Sequence, residues 1–175
     1  MENQRITLSK RLLKDALLSL LSEKDFIDIS IKELCERSGI NRSTFYRHYD
    51  NLSDLYREII DDLFSLMSKA SSHALQDPAN ATSYIRDVLS FFRDHKEYDP
   101  LFGSDLFSSD LFARRAEDHI KDSLAIKNSR YRKYLIRYLF AGSYTIIKDW
   151  ITTGRKEDVD TISDILLTLN GDLLN

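Results

Sequence analysis

The stretch that most constrains this chain is IKELCERSGINRSTFYRHY, residues 31–49. It places five apolar residues where two short, steeply crossing helices need a shared core: Leu34, Cys35, Ile40, Phe45 and Tyr49. Gly39 marks a tight turn between these helices. The second helix carries mostly hydrogen-bonding side chains, and so short and polar a helix buries too little surface to be stable alone. The pattern predicts a helix-turn-helix whose second helix enters the major groove of DNA.

The composition favours an all-helical protein. The chain has 175 residues, of which 42% are hydrophobic, but only five glycines and two prolines. That is enough apolar material for a core and little for tight turns. No apolar run is long enough to span a membrane, and the N-terminus MENQRITLSKR lacks the apolar segment of a secretion signal. We therefore expect a cytoplasmic protein without membrane contact, in which the single cysteine, Cys35, is a small buried hydrophobe.

The charge is unevenly distributed. The net charge is −3, which argues against a protein that coats DNA through a basic surface. Residues 1–50 carry nine Lys+Arg against eight Asp+Glu, for +1, whereas residues 51–175 carry sixteen against twenty, for −4. The cations of the first part are grouped near the first helix and on the second helix of the helix-turn-helix. This grouping indicates a few phosphate contacts per subunit.

Apolar periodicity predicts an all-α fold of about nine helices. We expect a three-helix helix-turn-helix head over residues 1–50, and a regulatory and dimerisation domain over residues 51–175 that begins with a long connecting helix and ends in a helical bundle. The first helix is expected to run from an N-cap at Thr7 to about Glu23. The long helix is capped by Asn51 or Ser53.

Punctuating residues divide the second half. Pro78 ends the long helix, and Pro100 and Gly103 break the helical pattern once more. Further helices are predicted over residues 83–94, 106–112, 114–125, 129–153 and 158–174. Gly154 is the expected C-terminal stop of the fourth of these.

The ordered set Gly39, Thr44, Phe45, Tyr46 and Tyr49, followed at once by NLSDL, resembles the TetR/AcrR type of transcriptional regulator. The second half resembles this family in architecture, and its segment YLFAGSYTIIKDWI is similar to the subgroup that includes regulators of dihydroxyacetone kinase operons. The resemblance implies a homodimeric, sequence-specific DNA-binding regulator. We expect a repressor whose DNA affinity is controlled through the C-terminal domain by a small-molecule or protein effector.

The alternative function is an all-helical regulator or adaptor whose C-terminal domain takes a protein partner rather than a small molecule, and which acts as an activator. An enzyme is not expected, because the chain lacks a Gly-rich phosphate loop, a nucleophile elbow and a paired-acid motif. The four histidines have no metal-ligand spacing, so neither a metal site nor a cofactor is expected.

The resemblance implies a set of DNA-contacting residues in a double-stranded operator complex. They are Ser30, Lys32, Arg42, Ser43, Thr44, Tyr46, Arg47 and His48. Their chemistry agrees with this role, since an arginine near the helix N-terminus can donate two hydrogen bonds to guanine. The chain departs from the family at Leu52, where a phosphate-binding lysine is usual. We expect a salt dependence shallower by about one unit of slope, unless Arg5, Lys10 or Arg11 replaces that contact.

Aromatic residues in the second half either line an effector pocket or fill the core. The pocket prediction places the irregular segment 98–112 against the long helix of residues 129–153. Its residues are Phe92, Tyr98, Phe102, Phe107, Phe112, Tyr138 and Tyr144.

The last two helices are predicted to pair with a second copy in a four-helix bundle, because they carry more apolar surface than one small domain needs. The predicted interface residues are Gly142, Ile146, Trp150, Ile162, Leu166 and Leu169. Gly142 either allows close helix approach or is only a kink.

Overall fold

A computed structural model describes residues 2–70, 81–104 and 132–174, together with Ser108 and Arg114 as single residues. Within these ranges there are eight α-helices and no strand, so the predicted all-α fold is confirmed. The helices are α1 (Glu2–Leu21), α2 (Ile31–Ser38), α3 (Arg42–His48), α4 (Leu52–Ala70), α5 (Ala81–Asp94), α6 (Asp99–Gly103), α7 (Arg132–Thr152) and α8 (Val159–Leu174). The helices predicted over 106–112 and 114–125 lie outside the described residues, apart from the single positions Ser108 and Arg114.

The structure differs from the prediction at the start of α1 and in the segment that follows α5. α1 begins at Glu2 rather than at Thr7, because no glycine or proline interrupts the first turns. The segment that was expected to break the pattern forms a 3₁₀ turn, Lys96–Tyr98, followed by α6. Pro100 is tolerated there because it occupies the first turn of α6, where a backbone N–H has no helical acceptor.

Side-chain caps determine where several other helices begin. The Ser30 hydroxyl accepts a hydrogen bond from the Glu33 N–H at 3.2 Å, so α2 begins at the predicted position. Asn51, rather than Ser53, caps α4, because its side-chain oxygen accepts from the N–H of Asp54 at 3.1 Å. Asp158 caps α8 in the same way through the N–H of Thr161 at 2.8 Å.

One hydrophobic core runs from the head into the rest of the chain. Leu13, Leu17 and Leu20 of α1 are fully buried, and they belong to the same cluster as the inner faces of α4 and α5. The inner face of α4 is buried along its length, from Leu55 to Met67. The predicted boundary at residue 50 stays a prediction, although the core is continuous across it.

The turn between α7 and α8 is held by Arg155. Gly154 and Arg155 both have positive φ, at 90° and 55°, and α7 ends just before them as predicted. The Arg155 guanidinium donates to an Asp99 carboxylate oxygen and to the backbone oxygen of Phe92, each at 2.8 Å, and lies 5.6 Å from the ring of Trp150. The left-handed backbone of a non-glycine residue costs about 1 kcal/mol, so these contacts must outweigh it. They fasten the α7–α8 turn to the end of α5 and the start of α6.

Replacing Arg155 with alanine should lower the free energy of unfolding by about 2–3 kcal/mol, because it leaves a half-buried Asp99 carboxylate and the Phe92 carbonyl without their donor. Denaturant unfolding at a fixed protein concentration measures the difference. Arg93→Ala is the matched control, since Arg93 pairs only with its exposed neighbour Asp94 and its loss should change little. Equal effects of the two substitutions would show that the Arg155 contacts do not stabilise the fold.

Candidate nucleic-acid interface

The helix-turn-helix is built around a glycine turn and a buried phenylalanine. Gly39 adopts φ 67°, and the N–H of Ile40 donates to the Cys35 oxygen at 3.1 Å, which ends α2 and turns the chain into α3. Phe45 is fully buried, with its ring 5.7 Å from that of the buried Tyr49. These two residues, as predicted for the head core, fix the angle at which α3 leaves the head.

The outer face of α3 is polar and accessible. Arg42, Ser43 and Arg47 are exposed, whereas Thr44 is half-buried. Tyr46 is 49% exposed, and its ring packs edge-on against Phe45 at 5.4 Å. One side of the Tyr46 ring therefore packs on the core, while the rest of the side chain is exposed to solvent.

The remaining predicted DNA contacts lie beside this face. His48 is half-buried and lies against Tyr49, with their ring centroids 6.3 Å apart. Ser30 is exposed at the start of α2, and its capping interaction uses only its oxygen, so its proton remains available to a phosphate. Lys32 is exposed and lies 3.8 Å from Glu36, a contact too weak and too solvated to hold it.

The cations of the head fall into two groups. In one group the cations hold the head together; examples are Lys24, bonded to Glu33 at 2.6 Å, and Arg37, bonded to Glu23 at 2.7 Å. In the other group are Arg42 and Arg47, which form no ion pair with the described residues. The exposed face of α3 thus carries two cations that no ion pair with the described residues engages.

A four-residue ionic cluster, missed in the sequence, joins α1 to α4. Lys14 Nζ lies 2.7 Å from Glu58 Oε1 and 2.5 Å from Asp62 Oδ2, and Lys10 Nζ lies 3.0 Å from Glu58 Oε2. Lys10 also lies 5.4 Å from the ring centre of Tyr49, directly after α3. The detectable signal was the i, i+4 spacing of both pairs beside the apolar stripes of their helices. We call Lys10, Lys14, Glu58 and Asp62 the α1–α4 cluster.

Two members of the α1–α4 cluster, Lys14 and Glu58, have pKa values shifted toward their charged forms. Burial lowers the pKa of Lys14, but the hydrogen bonds and charges of Asp62 and Glu58 outweigh it, so the pKa is raised. Burial raises the pKa of Glu58, but its bonds with Lys14 and Lys10 outweigh it, so the pKa is lowered. Burial also raises the pKa of Tyr49, with the charge of Glu58 adding to it, which keeps the phenol neutral.

The cluster bears on the missing lysine at Leu52. Of the three cations considered as replacements, Lys10 is already engaged by Glu58, whereas Arg5 and Arg11 form no ion pair with the described residues. Arg11 is exposed on α1. The two arginines are therefore the better candidates for that phosphate contact.

The described residues of the predicted effector pocket differ in burial and in their contacts. Phe92 and Phe102 are fully buried with their ring centroids 5.2 Å apart, and Phe102 stacks on Tyr144 at 6.0 Å. Tyr98 is half-buried, and Tyr138 is 68% exposed. Phe107 and Phe112 lie outside the described residues, so this pocket stays a prediction.

The residues of the predicted dimer interface separate into two groups. Trp150, Ile162 and Leu166 are buried in the core of their own chain, and Ile146 packs against that core. Gly142 is exposed, and Leu169 is 58% exposed. The indole of Trp150 also donates to the Glu157 oxygen at 2.8 Å, across the α7–α8 turn.

Similar proteins are known in sequence and in structure. Residues 13–59 match the family model described as "Bacterial regulatory proteins, tetR family". The chain is 24% identical over 164 residues to the "Uncharacterized HTH-type transcriptional regulator YxbF" of Bacillus subtilis (strain 168). That alignment covers 86% of this chain but only 41% of the relative, so the chain spans less than half the length of that protein.

Two solved structures share the fold. A TetR transcriptional regulator from Streptococcus agalactiae 2603V superposes with a TM-score of 0.71 at 20% identity, covering 97% of each chain. The "Dihydroxyacetone kinase operon activator DhaS" superposes with a TM-score of 0.61 at 17% identity, covering 95% of this chain and 96% of its own. At such identities these two structures show the fold alone.

None of the helices in the described ranges is both long and apolar enough to cross a membrane. Among the same residues, no group of three or more His, Cys, Asp or Glu side chains is arranged to hold a metal ion. The match over residues 13–59 and the helix-turn-helix geometry identify this segment as a TetR-type helix-turn-helix, and the described chain shares its fold with a solved TetR regulator.

Proposed function

We propose that this protein is a cytoplasmic homodimer that binds a specific double-stranded operator and represses transcription, with its DNA affinity controlled by an effector of the C-terminal domain. The observation that carries the proposal is the outer face of α3. There, two arginines that form no ion pair with the described residues lie beside exposed or half-exposed hydroxyl groups, on a helix whose angle is fixed by Phe45 and Tyr49. A dimer that occupies promoter DNA obstructs the polymerase, so repression is the expected effect.

Each predicted contact has a chemical role in this proposal. Arg42, at the first position of α3, reads guanine through O6 and N7. Ser43 and Thr44 bond phosphate or touch a thymine methyl, and the Tyr46 hydroxyl donates to phosphate. The remaining four side chains contact the DNA backbone beside these: Ser30, Lys32, Arg47 and His48.

Dimerisation is proposed through the exposed apolar residues of α7 and α8. Tyr134 and Tyr138 are 71% and 68% exposed and lie one turn apart on α7; Ile165 and Leu169 are 40% and 58% exposed and lie one turn apart on α8. Two such ridges on adjacent helices form the face that a second copy would cover in a four-helix bundle. Of the residues predicted for the interface, this proposal keeps Leu169 and the exposed Gly142. Trp150, Ile162 and Leu166 are left out, because the chain buries them in its own core.

The α1–α4 cluster is proposed to transmit the state of the C-terminal domain to the head. It joins α1 to the helix that continues into the C-terminal core, and through Lys10 it contacts the end of the recognition helix. An effector then acts by favouring one orientation of α4 over another, to the extent that it binds the two states with different affinity.

A second candidate function is activation through a protein partner. The observation that favours it is the shared fold with a protein named as an operon activator. A reporter gene under the neighbouring promoter separates the two functions: deletion of the regulator raises expression if the protein represses and lowers it if the protein activates.

Arg42→Ala should weaken binding to the operator about tenfold to a hundredfold, because one bidentate base contact is worth about 1–3 kcal/mol. Fluorescence anisotropy with DNA from the protein's own promoter and with a scrambled duplex measures the affinity and the specificity. Arg93→Ala removes the same charge from the C-terminal domain and should leave both unchanged. Tyr46→Phe should weaken binding to both duplexes alike, since it removes a phosphate contact. Equal affinity of the wild-type protein for both duplexes would contradict the proposal.

Tyr138→Asp combined with Leu169→Asp should convert the dimer to a monomer, because two charges would be buried on an apolar face. Sedimentation of the free protein measures the oligomeric state, and operator affinity should fall with it. The control is Ser83→Asp, which places a charge at an exposed position of α5. A double variant that remains dimeric would place the interface elsewhere.

Glu58→Gln should reduce stability by about 1 kcal/mol near neutral pH, since the pairs are partly screened by solvent. The lowered pKa of Glu58 means that its contribution is fully present above its ordinary value of 4.5 and is lost as the pH falls through the folded-state pKa. The unfolding midpoints of the wild type and the variant should therefore converge in acid. Glu36→Gln, at an exposed position in a weak pair, serves as the control. A difference that is independent of pH would contradict the ionic account.

A further inference from the structure

A small cavity lies between α4, α5, α7 and α8, and its described lining does not include the aromatic residues Phe92, Phe102 and Tyr144. Its volume is about 60 Å³. The walls include Met67, Tyr84, Ile85, Phe140, Ser143 and Leu166. None of these described wall residues carries a charge. The cavity thus offers an apolar enclosure with two side-chain hydroxyl groups, those of Tyr84 and Ser143.

The two hydroxyl groups have unused hydrogen-bonding capacity. Tyr84 forms no hydrogen bond with the described residues, and burial raises the pKa of its phenol to about 12. Ser143 accepts a hydrogen bond from the Asn170 side chain at 3.3 Å, but its own proton has no acceptor among the described residues. Each group can therefore donate to an acceptor oxygen of a guest molecule that reaches it.

We propose that this cavity binds the effector, and that the effector is a small, uncharged, largely apolar molecule with a single carbonyl or hydroxyl group. The inference rests on the proposed control of DNA affinity through the C-terminal domain. A charged guest would be buried without a counter-charge in the described walls, which is costly. A polyol would leave most of its hydroxyl groups unpaired, at about 1–3 kcal/mol for each one.

The size of the cavity limits the guest further. A water molecule needs about 10–15 Å³ by the same measure, so 60 Å³ accommodates about four non-hydrogen atoms before any adjustment. Met67 forms part of the wall, and its unbranched thioether chain can move aside at low cost. Ketones of five or six non-hydrogen atoms, such as 2-butanone and cyclopentanone, are therefore suitable probes.

The position of the cavity explains how a bound guest would change the affinity of the protein for DNA. Met67 lies on α4, the helix that also carries Glu58 and Asp62 of the α1–α4 cluster. Phe140 and Leu166 lie on the two helices of the proposed dimer face. A guest that presses on Met67 acts on the helix that holds the head, against walls that the dimer holds in place.

Thermal unfolding without DNA tests binding directly. Cyclopentanone should raise the unfolding temperature of the wild-type protein in a saturable manner, whereas dihydroxyacetone and butyrate at the same concentrations should not. Ile85→Phe should abolish the rise, because the larger ring fills the cavity. Tyr84→Phe should weaken cyclopentanone binding about tenfold through the lost hydrogen bond, but should leave binding of cyclopentane, which has no oxygen, unchanged. Ser65→Ala, which removes a hydroxyl group from an exposed position of α4, is the control.

The second readout is operator affinity with and without cyclopentanone. A change in affinity that disappears in Ile85→Phe supports the proposal. The proposal is overturned if cyclopentanone gives no rise in unfolding temperature, if dihydroxyacetone or butyrate gives an equal rise, if the rise survives both cavity substitutions, or if the ketone binds without changing operator affinity. Failure of the wild-type protein to bind any operator would contradict the proposed function alone, since the thermal measurement contains no DNA.

Discussion

Burial of Phe45 between α3 and the rest of the head is the interaction that positions the exposed polar face of α3. The seven-residue helix α3 has only that one fully buried side chain. Too few backbone hydrogen bonds form within such a helix to stabilise it in water. Its direction is therefore determined by Phe45, by the neighbouring Tyr49 and by the α1 leucines that complete the core. Every polar side chain on the opposite face is positioned as a result.

The cations of the head also fall into two sets with different roles. Four of the nine cations of the head form pairs that hold α1, α2 and α4 together, and these pairs are strongest where both members are partly shielded from water, as at Lys14 and Glu58. The arginines of α3 are left out of this network. A protein with a net charge of −3 can therefore present cations to DNA, because local placement rather than the total determines the field at the interface.

The helix-turn-helix was predictable from sequence because its signals are local. Gly39, the Ser30 cap and the buried positions Phe45 and Tyr49 all act within a few residues of one another, so their spacing carries the geometry. The C-terminal half depends on contacts between distant positions. Nothing local distinguishes Trp150, which the chain buries in its own core, from Tyr138, which it exposes, since both are aromatic residues on one long helix. Likewise, the pairing of Arg155 with Asp99 joins residues whose sequence neighbourhoods give no sign of each other.

The unbroken core has a consequence for how the molecule unfolds. Because buried side chains continue from Leu13 through Ile59 and Phe64 to Leu89, the core of the head is shared with α4 and α5. The amide protons of α1, α4 and α5 should then exchange with solvent only through a single cooperative opening of the whole structure. The recognition helix has only seven residues. It is rigid because it packs on this larger shared core, and its own backbone hydrogen bonds would not make it so.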